Sequence, residues 1–202
     1  MADDRSVEMV GGDLALNFAN TVGWHAREIP DEHLKTYADF VQWTRRAGVV
    51  SAAQAAELIR RDAGAPEHGV RALKQIRRLR ETIYRVFAGL AAGHSPPARD
   101  LTELTQRAAK ALAAASPEWR QGQVSLAWKE AGLEWPAYPI ALAAGDLLAS
   151  PRRERVRQCG NDPCGWLFVD TTRNRSRRWC TSAECGNVTR VRRFRARARR
   201  KA

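Results

Sequence analysis

Cys159-Gly-Asn-Asp-Pro-Cys164 and, fifteen residues on, Cys180-Thr-Ser-Ala-Glu-Cys185 contain every cysteine of this 202-residue chain. Two close pairs separated by a stretch of hairpin length can gather four thiolates around one tetrahedral zinc ion. The segment between the pairs reads as a strand, Trp166-Leu-Phe-Val169, then a polar turn, Thr171 to Ser176, then Trp179. So short a segment cannot bury enough apolar area to fold alone, and a structural metal supplies the missing free energy. Disulfides and independent buried thiols are the competing readings. A cytoplasmic location disfavours the first, and confinement of all four cysteines to one short segment disfavours the second. A redox dithiol more typically has a two-residue gap. The histidines, His25, His33, His68 and His94, all lie far upstream, so an all-cysteine site with no open catalytic position is expected.

Charge follows the same division. The net charge of +12 falls wholly on residues 151–202, whereas residues 1–150 balance 18 basic against 18 acidic side chains. After Cys185 come Arg190, Arg192, Arg193, Arg195, Arg197, Arg199, Arg200 and Lys201 with no acid among them. A neutral body with a basic appendix suggests two tasks, and the appendix suits a polyanion. Arginine favours bidentate phosphate or guanine contacts, and Arg and Ala favour a helix over Thr189 to Arg200. Phe194 is the one aromatic there, which argues against a base-stacking platform for single strands. A merely solvated tail is the bland alternative.

Upstream the pattern is helical. Leu73, Ile76, Leu79, Ile83, Val86, Phe87 and Leu90 recur at helical spacing. Further helices are expected over Leu14–Thr21 capped by Asp13, from Asp31 to about Ala47, from Ala52 to Arg61 capped by Ser51, from about Arg99 to Ala115 with Leu101, Leu104, Ala108 and Leu112 inward, and over Ala137–Ala149. Gln123 to Trp128 reads as a strand, with Trp119 in its hairpin partner across Gly122. With 44 % hydrophobic residues the chain can build a core, and no apolar run is long enough to span a bilayer. The acidic, polar N-terminus shows no signal peptide, and no phosphate loop, dinucleotide fingerprint or nucleophile elbow appears, so no enzyme is expected.

The run Arg155 to Asn187 resembles the CGNR zinc-finger family, and Gly11-Gly-Asp-Leu-Ala-Leu-Asn-Phe-Ala-Asn-Thr21 is similar to the start of the ABATE domain that usually precedes that finger. The resemblance implies a bacterial, stress-induced transcription regulator with one zinc ion on Cys159, Cys164, Cys180 and Cys185. Two positions depart from the pattern: Val188 stands where the signature has Arg, and Asn17 where the family has Asp. The expected architecture is thus a mainly α domain with a small β element over residues 1–150, a zinc-ribbon-like finger over 151–188 and a basic helix or tail over 189–202. The expected partner is nucleic acid, specifically duplex DNA, with a homodimer and a small ligand further possibilities and no membrane. Asn17, Asn20 and Thr21, polar groups in an apolar segment, are the candidate lining of a ligand pocket together with Arg80 or Arg85. The alternative is a small-molecule-binding protein or enzyme in which the finger is a structural, protein-docking or RNA-docking module.

Overall fold

The computed structural model describes residues 9–25, 27–120 and 122–199. Helix α1 (Leu14–Ala19) starts at Asp13, whose carboxylate accepts the Ala15 N–H at 3.0 Å. The chain leading into it makes a tight turn at Gly11 and Gly12. Gly12 has φ +70°, and a Cβ on Gly11 would stand 2.9 Å from both Asn17 Oδ1 and Leu16 Cβ. Two short strands, β1 (Val22–Gly23) and β2 (Asp31–Glu32), pair antiparallel and close the next loop. Asp31 therefore does not cap a helix. Helix α2 (Tyr37–Arg46) is capped five residues later at Thr36, where a reciprocal capping box with Asp39 satisfies two otherwise unpaired donors. Helix α3 (Ala52–Gly64) starts, as expected, at Ser51, with Gln54 completing its box.

The long helix α4 (Pro66–Ala91) is the axis of the body. Its 26 residues span about 39 Å, and its apolar stripe Ile76, Leu79, Ile83, Val86 and Phe87 is buried as the spacing requires. Helices α5 (Ala98–Ala113) and α6 (Tyr138–Ala149) pack beside it, the latter entered by a 3-10 turn at Trp135–Ala137. Leu104 and Ala111 of α5 face inward, but Leu112 is exposed. The inward line therefore passes through Ala111 rather than Leu112. That hairpin, β3 (Ala115–Arg120) and β4 (Gln123–Trp128), pairs Trp119 with Val124 and Pro117 with Leu126. It leaves this apolar face open, with Trp119 72 % exposed. At its base the Trp128 indole donates to the Ala111 carbonyl at 2.7 Å. Around Phe18 the core is aromatic: its ring lies 5.3 Å from Trp43 and 6.1 Å from Phe40, and all three are buried.

A 3-10 turn at Pro151–Arg155 delivers the chain to strands β5 (Val156–Gln158) and β6 (Leu167–Val169), which pair antiparallel. Strand alternation gives this ribbon two faces. Val156, Leu167 and Val169 join the helical core, while Phe168, with Trp166 just before the strand, packs against the cysteines. The chain ends in a π-type turn, Ser182–Gly186, that runs directly into helix α7 (Asn187–Arg199). Mainly helical, with three small two-stranded sheets among the described residues and a C-terminal cysteine cluster, the architecture is the one expected.

Candidate metal centre and basic helix

Cys159 leaves the end of β5, and its N–H bonds to the Trp166 carbonyl at 2.8 Å, closing the first loop around Cys164. Gly160 donates to the Arg178 carbonyl at 2.7 Å, bringing the first loop against the approach to Cys180. The second pair is closed by the turn that starts at Thr181, whose hydroxyl accepts the Glu184 N–H. All four cysteines are buried and their sulfurs lie within 4.8 Å of one another. Cys164 and Cys180 sulfurs are 3.7 Å apart, and Cys180 and Cys185 sulfurs 3.5 Å. A tetrahedron with Zn–S bonds of about 2.3 Å has edges of about 3.8 Å, so the cluster has the dimensions to hold one structural zinc ion. Four thiols this close compete for protons. Hydrogen bonding from Cys164, then from Cys180 and Cys185, holds Cys159 far below the ordinary thiol range, while the bonds to Cys159 and Cys164 hold Cys180 far above it. A divalent cation replaces those protons and leaves four thiolates as ligands.

N–H donors temper the negative sulfurs. The Cys180 amide points at Cys159 Sγ (3.4 Å) and the buried Asn161 side chain donates to Cys185 Sγ (3.3 Å). Arg192 of α7 donates to the other end of that amide, Asn161 Oδ1, at 3.3 Å. Asn161 thus links the metal cluster to the basic helix. The spacing of the cysteines gave no hint of it. Arg177 is a second brace: its guanidinium lies 4.2 Å over the Phe168 ring and donates to the carbonyls of Val10, Trp179 and Cys180. Buried Asp170 holds the intervening turn by accepting from the Thr172 N–H, the Thr172 hydroxyl and the Arg177 N–H.

The arginines after Cys185 fall into two groups. Arg190 lies 5.8 Å over the Trp179 ring and donates to the Ser182 carbonyl, and Arg192 is tied to Asn161, so both brace the helix against the finger. Arg193, Arg195, Arg197 and Arg199 are exposed and, among the described residues, engage no side chain or carbonyl. Arg200 and Lys201 lie outside the described residues. Val188, in place of the signature Arg, is about two-fifths exposed on the same helix. No residue of α7 is buried, so the helix projects from its anchored first turns.

Asn17, Asn20 and Thr21 are placed elsewhere, in the join between α1 and the finger. Asn17 Oδ1 accepts the Gly11 N–H at 2.8 Å. Asn20 accepts the Leu167 N–H and donates to the Leu167 carbonyl, at 2.8 and 2.9 Å, as a strand neighbour would. Thr21 donates to the Phe18 carbonyl. Beside them Arg80 forms a bidentate pair with Glu32 at 2.7 and 2.6 Å, and Arg85 pairs with Asp100. All five side chains therefore have partners within the fold.

Geometry and ligand chemistry together define a helical protein carrying a four-cysteine structural metal finger. Residues 12–151 match the ABATE family, described as "Putative stress-induced transcription regulator", and residues 155–198 match the CGNR zinc finger. The first match covers more than half of the chain, which therefore belongs to the ABATE family. Neither family is one of enzymes. No match to a curated protein was found. Among the described residues no helix is long and apolar enough to cross a membrane.

Proposed function

We propose that the protein is a DNA-binding transcription regulator in which the zinc finger orients α7 against duplex DNA and the helical body senses a ligand or partner. The observation that carries this reading is the state of α7. It is a 13-residue helix, about 20 Å long, clamped at its start to the metal centre and otherwise bare, bearing four unpartnered arginines. Like charges along a solvated helix repel one another, and a phosphate backbone relieves that repulsion while a major groove accommodates the helix. Because Arg190 and Arg192 are used within the protein, base and phosphate contacts fall to Arg193, Arg195, Arg197 and Arg199, followed by Arg200 and Lys201.

The test is fluorescence anisotropy of a labelled duplex with the zinc-loaded protein. If six side chains neutralise phosphates, log K falls against log salt with a slope of roughly −5. Deleting residues 193–202 removes those six cations but keeps both bracing arginines and all zinc ligands. It should weaken binding by roughly a hundredfold or more at low salt with zinc content unchanged. Affinity indifferent to salt or to the deletion would overturn the proposal. Tighter binding to a duplex RNA of equal length would move the target from DNA to RNA.

A further inference from the structure

Between α4, α5 and the turn entering α6 lies a cavity of about 350 Å³, remote from the cysteines. Its apolar floor is Ile76, Leu79, Ala137 and Ala141, each more than nine-tenths buried. Its rim is polar: Gln75, Arg107, Lys110 and Glu134, with the Tyr138 ring between. A second, more open cleft adjoins it along α5, sharing Arg107 and Lys110 and adding Arg78, Arg99 and Glu103. The cavity's own rim thus sets Arg107 and Lys110 against Glu134, and with the adjoining cleft four cations stand against two carboxylates. Glu103 is already taken, 2.8 Å from Arg78 and 3.6 Å from Arg107. Arg107 is further steadied by Gln75 at 3.2 Å. Lys110 has no carboxylate within ion-pair distance among the described residues. Its ammonium stands 6.0 Å over the Tyr138 ring, at the mouth of the cavity.

From this arrangement we infer that the cavity is a ligand site for a small amphipathic carboxylate, its apolar part on the Ile76–Ala141 floor and its carboxylate at Lys110 and Arg107. The volume suits a ligand of this size, and an apolar floor with a few convergent polar groups is the usual make-up of such sites. The net positive rim selects an anion over a cation. A carboxylate gains charge-assisted hydrogen bonds there that an isosteric amide does not. The inference gives the sensory role proposed for the body a location and a ligand chemistry. It requires nothing of DNA binding.

Isothermal titration of the zinc-loaded full chain with benzoate, phenylacetate and butyrate, each beside its neutral amide, tests it. At least one acid should bind, and its amide should bind at least roughly tenfold more weakly. Lys110→Gln, a change at the rim that removes no buried contact, should cost roughly tenfold in affinity for the acid and little for the amide. Ala141→Leu should abolish binding by filling the floor. If that variant fails to fold, Lys110→Gln still decides the matter. No binding of any acid at millimolar concentration, equal affinity for acid and amide, or no effect of Lys110→Gln would each overturn the inference. The protein lacking residues 193–202 should bind the acid unchanged, so failure of the DNA reading is seen separately.

Discussion

Asn20 shows how much one side chain can hold. Its amide pairs with both polar groups of the Leu167 backbone, across 147 residues of sequence, and the site is buried. Asn20→Ala leaves a buried N–H and a buried carbonyl without partners, which costs about 2–3 kcal/mol by urea denaturation. Arg80, also buried, is fixed by Glu32 and Glu81, with Arg80 Nη2 2.9 Å from Glu81 Oε1. Removing one member of such a pair strands the other charge. Asp170 adds a pH dependence. Burial alone would raise its carboxyl, but bonds from Thr172 and the Arg177 N–H outweigh this and hold it below the usual carboxylate range. A group with a depressed folded pKa stabilises the fold above its unfolded value and loses that contribution as pH falls through the folded one. Asp170→Asn should therefore cost about 1–2 kcal/mol at neutral pH, and the difference from wild type should persist to about pH 4 and shrink to nothing only in stronger acid, below the depressed folded value. Paired denaturation curves at the two pH values check it.

At the level of elements, β3–β4 and α7 are the parts least bound to the rest. The Trp119 ring stands on an open ribbon face, so Trp119→Ala should change the melting temperature little, within about 0.5 kcal/mol of stability, whereas Trp43→Ala in the aromatic core should cost about 3–5 kcal/mol. Helix α7 has the opposite dependence, since only its first turns are attached. An isolated helix of this length is marginal in water. Asn161→Ala, which removes the link between Cys185 and Arg192, should lower the helix content of the C-terminal segment and weaken DNA binding while four sulfurs still hold zinc. Circular dichroism with metal analysis separates the two effects.

Across the whole molecule, the finger and the body share a core. Val156, Leu167 and Val169 sit with the helices, Trp166 donates its indole N–H to the Val22 carbonyl at 2.7 Å, and Arg152 reaches back to Asp13 and Gly12. Purified protein should carry about one zinc per chain. Because binding free energy of a structural metal is folding free energy, chelation should lower the melting temperature of the chain in one cooperative transition rather than melt a separate finger. Calorimetry before and after metal removal should show that single shifted peak. Two peaks, with the larger unmoved, would mean that the parts are energetically independent.

Much of this was written locally. The 3.6-residue recurrence along α4, the Ser51 cap, the turn at Gly122 and the paired cysteine spacing are short-range signals, because each depends on neighbours within a few residues. The sequence alone therefore determined the helical body, the hairpin, the gathering of four cysteines that can hold a zinc ion and the concentration of positive charge at one end. It misread Asp31, a good capping residue by type, because the pairing of β1 with β2 outweighs local preference. It could not divide the arginines, since whether Arg192 meets Asn161 or solvent depends on where a distant loop folds. Nor could it assign the partner of Asn20, whose amide meets the Leu167 backbone across 147 residues; the bonds of Asn17 with Gly11 and of Thr21 with Phe18 are local by comparison. Likewise the cavity under Lys110 exists only where three helices converge. Contacts between residues far apart in the chain leave no periodic trace in it, and only the tertiary structure decides them.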